Sequence, residues 1–245
     1  MIISFLSGKG GVGKTTACVN TAGCLSKMGK KVLVMDLDIQ ASTTSALGIE
    51  TKSIGNSNIF RLFDSEKKFK EIIFTIEELG VDVAPSIPET YLREGIILER
   101  EDKILARKVE ELKNYYDFIL IDTRPGFEKL TRNAIFASDL PIGIFNESVF
   151  SYETFDVLKK WALLEFEKPM NYVIITRMQG RSSWLSRSIV KDLSKSFKRA
   201  FVVPFDKRVQ DSQAFGLPLS HLNKRSKALK VYYEIADWLI KERFD

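Results

Sequence analysis

Positions 7–16, SGKGGVGKTT, follow directly on a short apolar run, Met1–Leu6, and gather four glycines, two lysines and two threonines into one turn. A run long enough for one strand, broken by glycines and resumed by a mixed apolar segment, predicts a strand–turn–helix unit. The glycines let successive backbone N–H groups converge on an anion at the helix N-terminus. Two templates fit the same letters. Gly8, Gly10 and Gly13 satisfy G-x-G-x-x-G, the dinucleotide pattern, and Gly8 to Thr15 satisfy G-x-x-x-x-G-K-[ST], the triphosphate loop.

The rest of the chain repeats the alternation that such a turn opens. Short runs rich in Val and Ile predict strands at Ile2–Leu6, Lys31–Asp36, Val81–Ala84, Asp117–Asp122, Leu140–Phe145, Tyr172–Thr176 and Ala200–Val203. They are apolar throughout, as strands buried on both faces are. Amphipathic segments near 14–28, 90–114, 128–138, 151–166, 183–197, 208–215 and 226–242 predict helices between them. The expected fold is α/β: a doubly wound, mostly parallel sheet with helices on both faces. At 245 residues, one domain over 1–245 accounts for the whole length, with no helix-turn-helix domain before it. The irregular stretch 48–80 is expected to cover the edge of the active site.

Composition removes several function classes. His221 is the one histidine, so a cluster of histidine metal ligands is excluded, and the residue reads as a surface or interface side chain rather than a catalytic one. Cys18 and Cys24 sit six apart in the predicted first helix, which suits packing in a reducing compartment better than a disulfide framework. No run of 18 or more apolar residues is present, and Met1 leads straight into a strand rather than a basic leader. A cytoplasmic protein is expected.

Lys14 and Thr15 separate the two templates. They follow the last glycine immediately, where a triphosphate loop needs an ammonium for the β- and γ-phosphates and a hydroxyl for Mg²⁺. Asp122 closes the apolar strand DFILID, the place of the second carboxylate in such a site, and Asp36 ends an earlier strand. A dinucleotide enzyme could use Asp36 on a ribose but has no use for the whole set.

With its second lysine, Lys9, the segment GKGGVGKTT resembles the deviant Walker A box, K-G-G-x-G-K-[ST], of the ParA/MinD family of P-loop ATPases. The likeness runs along nearly the whole chain and is nearest to the ParA (Soj-like) DNA-partition members. VLVMDLDIQASTTSALGI, residues 32–49, resembles D-x-D-P-Q-[GA]-N-x-T-x-x-L-G, with Ile39 in place of proline and Ser42 in place of asparagine. YYDFILIDTRPG, residues 115–126, resembles Y-D-[FY]-h-h-h-D-[TC]-P-P, h being apolar, with Arg124 where the first proline is usual. NESVFSYET, residues 146–154, resembles P-x-x-x-S-x-x-G without its proline and glycine, and VVPFDKRVQDSQAFGLPL, residues 202–219, resembles P-x-x-x-x-x-x-[ED]-x-x-x-x-G-x-P.

The resemblance implies ATP and Mg²⁺ as cofactors. It assigns Gly10, Gly11, Val12, Gly13, Lys14, Thr15 and Thr16 to the phosphates. Thr15, Asp36 and Asp122 go to the metal and its surroundings, and Asp38 to the attacking water. Thr176 stands where the family often reads the base with asparagine, Pro204 and Phe205 where the backbone borders the adenine, and Asp211 at the acidic position beyond. Lys9 corresponds to the lysine that reaches the partner's phosphates in an ATP-sandwiched homodimer, which together with Lys14 and Asp38 completes the catalytic set. Members that hold metal clusters carry cysteines late in the chain, and none is present there.

Charge supplies the expected partner. Residues 177–230 hold 13 Lys and Arg against 3 Asp and Glu, although the whole chain is only +5. Lys191, Lys195, Lys198 and Arg199 form one expected phosphate-contacting group, and Lys224, Arg225, Lys227 and Lys230 another. The resemblance implies a partition ATPase whose ATP dimer binds double-stranded DNA without sequence preference, associates with the nucleoid, and is triggered by a ParB-like centromere-binding protein. The alternative within the family is a MinD-like positioning ATPase on a membrane. That needs a free amphipathic anchor, whereas the stripe Val231, Tyr232, Ile235, Trp238 and Leu239 reads as core, so no membrane is expected.

Overall fold

The computed structural model describes residues 1–64, 68–88, 103–176, 184–222 and 225–242. Its strands are β1 (Ile2–Leu6), β2 (Val32–Asp36), β3 (Phe74–Ile76), β4 (Val81–Ala84), β5 (Phe118–Asp122), β6 (Leu140–Asn146), β7 (Tyr172–Thr176) and β8 (Arg199–Val203). They make one sheet in the order β3-β4-β2-β5-β1-β6-β7-β8, parallel at every pairing except β3 with β4.

Alternation along each strand builds a core on both sides. Ile3 and Phe5 of β1 and Val32 and Val34 of β2 meet the helices Lys14–Lys27 and Lys227–Lys241 on one face. Their neighbours Ile2, Leu33 and Met35 turn to the other face, against the helices Ile104–Val109 and Lys129–Ala137. On that second face Phe145, Val173 and Ile175 pack on the helix Val149–Phe166. Strands covered on both faces have little place for polar residues, which is why they read as mostly apolar runs, with Ser4 of β1 buried among them. The chain turns one way from β1 toward β5 and β2, and the other way toward β6, β7 and β8. The crevice beyond the strand ends therefore opens after β1, where the glycines lie.

The structure departs from expectation in identifiable places. β3 was not expected: it is three residues long, antiparallel and half exposed, so it carries no apolar run. A short helix at Ser42–Ala46, sequence STTSA, was also unexpected, since its side chains favour capping over helix interiors. The stretch 48–80 does not cover the edge of the site. Its Ile59, Phe60, Leu62, Phe63, Phe69 and Ile72 are buried in the second-face core, where their apolar side chains lose the most water. The helix expected over 90–114 has its described part at Ile104–Val109, followed by a 3₁₀ turn at Glu110–Leu112, and its residues 90–102 lie outside the described residues. Among the described residues no helix is long and apolar enough to cross a membrane.

Candidate nucleotide site

Gly13 is the N-cap of the first helix, Lys14–Lys27, with φ 90°, so the loop enters the helix through a left-handed residue. A Cβ there would also come within 3.2 Å of Thr176 Cγ2. Gly8 is required by proximity instead: a Cβ on it would lie 2.3 Å from the Thr154 carbonyl oxygen. Thr176, at the end of β7, donates its hydroxyl to the Val12 carbonyl at 2.6 Å and pins the loop from the far side. The loop is thus clamped between β7 and the helix Val149–Phe166, and its open side faces a cavity of about 780 Å³.

Adjacent strands place the two strand-end carboxylates side by side, since Asp36 is paired with Asp122 in the β2–β5 register. Both are fully buried. Asp122 receives Lys14 Nζ at 3.3 Å through one oxygen, and the hydroxyls of Thr15 and Thr43, each at 2.6 Å, through the other. Asp36 accepts the N–H and O–H of Thr44 at 2.8 and 2.7 Å and the Asp38 N–H at 3.1 Å. Burial, with the neighbouring Asp122 charge, pushes the Asp36 carboxyl up to about 7. Asp36 therefore anchors the loop 38–44 from behind and does not line the cavity. Asp38 does line it, and its carboxyl is raised by burial against the opposing Gln40 N–H. Ala41, buried at φ 53°, holds this loop in a left-handed turn that costs an alanine about 1 kcal/mol.

The cavity collects most of the expected set. Lys9, Gly10, Gly11, Val12, Gly13, Lys14, Thr15, Thr16, Asp38, Thr176, Pro204 and Phe205 all line it, with Lys9 exposed at the mouth. Asp122, like Asp36, lies buried behind the lining, and Asp211 does not line the cavity either: it is exposed on the helix Arg208–Ala214, whose Gln210 and Gln213 face inward in its place. Gln213 donates to Thr16 Oγ1 at 2.8 Å. The expectations missed these glutamines and the pair Thr43–Thr44. A signal existed for each: two amides three apart on a helix after Pro204, and two hydroxyls directly after the Asp38 loop.

The basic residues do not form one group. Helix Lys227–Lys241 runs back along the sheet, with Lys227 N–H bonded to Asp206 at the cavity end at 3.0 Å and Glu242 4.0 Å from Arg199 at the other. Arg225, Lys227 and Lys230 therefore lie toward the cavity end, and Lys198 and Arg199 a helix length away, about 20 Å at 1.5 Å per residue. Lys191 and Lys195 are exposed on the helix Trp184–Ser194 and its continuation, Lys195 paired with Asp192 at 3.7 Å. Arg199 stacks over Phe201 and Trp238 at 5.0 and 5.7 Å. Lys224 lies outside the described residues. The stripe Tyr232, Ile235, Trp238 and Leu239 is buried, 3% exposed at most, as core. Cys18 and Cys24 are free and buried, and burial drives both thiols up, Cys24 to about 12.

A family model described as an AAA domain matches residues 1–166. The sporulation initiation inhibitor protein Soj of Bacillus subtilis is 30% identical over 249 residues, spanning 96% of each chain. The chromosome partitioning protein ParA of Myxococcus xanthus is 26% identical over 98% of this chain and 88% of its own. A Borrelia burgdorferi protein assigned to plasmid partition, solved bound to AMPPNP, superimposes with a TM-score of 0.81 at 25% identity, covering 98% of both chains. The cell division ATPase MinD of Pyrococcus furiosus shares the fold with a TM-score of 0.83 at 23% identity, again over 98% of each chain. The family match takes in more than half the chain and the Soj likeness nearly all of it: the chain belongs to the ParA/MinD family of P-loop ATPases.

Proposed function

We propose that the chain is an ATP-dependent DNA segregation ATPase, working as a Mg-ATP sandwich dimer that binds double-stranded DNA without sequence preference. The observation that carries the reading is the convergence of Lys14, Thr15 and Thr43 on the buried Asp122, directly behind a cavity that Lys14, Thr15 and Asp38 line. The Myxococcus ParA and Borrelia relatives, named for partition, support the cellular role.

The chain's own groups divide the work. Loop N–H groups and the helix N-terminus take the β-phosphate, and Lys14, which Asp122 holds in the site, supplies a cation to the β- and γ-oxygens. The hydroxyl of Thr15 beside Asp122 is a hard oxygen donor of the kind Mg²⁺ prefers, and Thr15 and Asp122 would hold the ion, with Asp36 fixing the loop next to it. Mg²⁺ when bound would neutralise developing phosphate charge. Asp38 orients the attacking water, and Lys9, exposed at the mouth, acts on the partner copy's phosphates. A cation delivered only on dimerisation couples assembly to hydrolysis and leaves the lone chain slow. A ParB-like partner then stimulates turnover on the nucleoid, in the cytoplasm. The buried stripe of helix Lys227–Lys241 offers no membrane anchor.

One comparison tests this: binding to random duplex and to anionic liposomes, each with ATP and with ADP. Duplex retarded with ATP alone, with affinity falling steeply as salt rises, is the expected result. ATP-dependent liposome binding without DNA binding would replace segregation by membrane positioning.

A further inference from the structure

The segment after β5 places an arginine at the wall of the nucleotide cavity. Its backbone is tied at both ends: Thr123 Oγ1 donates to the Phe5 carbonyl at 2.9 Å, and the Gly126 N–H to the Ser7 carbonyl at 3.1 Å. Between those ties lie Arg124 and Pro125, and both line the cavity. Pro125 stands across from Gly10, whose added Cβ would sit 3.8 Å from Pro125 Cγ. The Arg124 side chain is 23% exposed, and its Nη1 lies 3.0 Å from Glu128 Oε2.

Sheet order says which end of a nucleotide this arginine meets. Pro204 and Phe205 follow β8, on one side of β1, and Asp38 and Arg124 follow β2 and β5, on the other. With the phosphate loop on β1 between them, a base held beside Pro204 and Phe205 directs the terminal phosphate toward Asp38 and Arg124. The charges agree with this placement: burial raises the Asp38 carboxyl, while Lys14 and Arg124 both favour its ionised form. Arg124 therefore adds a second cation to Lys14 at the phosphate end of the cavity.

We propose that Arg124 is a specificity-determining contact for the terminal phosphate, poised against Glu128 and drawn to the third phosphate when a nucleoside triphosphate binds. The proposal rests on the triphosphate reading above. Arginine suits the task, because its planar fork matches phosphate oxygens in pairs and a charge-assisted bond is about twice as strong as a neutral one. A diphosphate presents no group at that end, so Arg124 separates ATP from ADP within one chain. Glu128 competes for the same guanidinium and sets how strongly.

The test measures affinities of AMPPNP and ADP, both with Mg²⁺, in a Lys9→Ala background so that a second copy does not inflate the triphosphate value. Arg124→Gln should weaken AMPPNP by about 10-fold or more and leave ADP within about twofold. Arg124→Lys should recover part of the loss. Glu128→Gln, which removes the competing carboxylate, should tighten AMPPNP and leave ADP unchanged, a result that a prop for the loop would not give. Equal weakening of both nucleotides by Arg124→Gln, or no change in either, overturns the proposal. If the chain with Arg124 intact binds neither nucleotide, the triphosphate reading falls and the proposal with it.

Discussion

Between the phosphate loop and the β8 side of the sheet, the same kind of side chain meets two different fates. Lys14 is 7% exposed and fixed 3.3 Å from a buried carboxylate, whereas Lys191, Lys198, Lys227 and Lys230 are exposed. The first is held by strands: Asp122 ends β5, the loop leaves β1, and β1 and β5 are hydrogen-bonded neighbours. The second set is divided by helix Lys227–Lys241, which carries its two ends to opposite ends of the sheet. Residues 108 positions apart meet when they sit at the ends of adjacent parallel strands. A helix between two residues that are near in sequence carries them apart.

The largest effect expected from that contrast is at Lys14. Lys14→Ala removes the cation and leaves Asp122 buried with hydroxyl partners alone, and losing one member of a buried charged pair costs about 2–5 kcal/mol. ATP affinity, measured by calorimetry, should fall by at least about 30-fold, while Lys191→Ala changes it not at all. Unchanged ATP affinity in Lys14→Ala would erase the difference between the two regions.

The split of the basic residues gives the next effect. The proposed dimer, joined across the cavity mouths, would bring both copies of Arg225, Lys227 and Lys230 toward one surface. Reversing these three to Glu should cut ATP-dependent DNA affinity more than reversing Lys191, Lys195 and Lys198. It should also flatten the salt dependence by about 0.9 per lost phosphate contact. Equal losses from both sets would mean that the far group shares the DNA.

Asp36 supplies a pH test confined to the cavity end. Its carboxyl titrates at 3.8 when unfolded and at about 7 when folded, so between these values the folded chain holds a proton that the unfolded chain has released. The stabilisation is complete below about pH 4 and is lost as pH rises through about 7. The nucleotide-free melting temperature should fall across that window, and Asp36→Asn should flatten the fall even as it weakens the loop. The smallest effect is at Arg199, which lies over Phe201 and Trp238. Arg199→Ala should lower the melting temperature by about 1–4 °C, since an exposed cation–π contact is worth about 0.5–1 kcal/mol. DNA binding should be nearly untouched.

Legibility in the sequence followed the same division. The strands were readable because burial on both faces left them mostly Val, Ile and Leu, Lys14 and Thr15 because they follow the glycines directly, and Asp122 because it closes an apolar strand. β3 escaped notice because a three-residue edge strand buries too little to leave a pattern. Thr43 and Thr44 were passed over because a hydroxyl becomes informative only once the carboxylate it serves is placed in space. Asp211 was carried by motif position, but helix phase puts Gln210 and Gln213 on the inward face instead. Which end of the sheet each basic group would occupy was not legible, because it depends on the direction of helix Lys227–Lys241.

The central claim is that nucleotide controls assembly through two lysines of one loop, Lys14 within the chain and Lys9 across to its partner. Light scattering with Mg²⁺ measures it most directly, on the unaltered chain and on the Asp38→Ala and Lys9→Ala variants. The account predicts the mass of two chains with ATP and of one with ADP, a dimer that persists in Asp38→Ala because hydrolysis is slowed, and a single chain in Lys9→Ala under both nucleotides. The same mass with ATP and ADP, or an undiminished ATP dimer in Lys9→Ala, would contradict it.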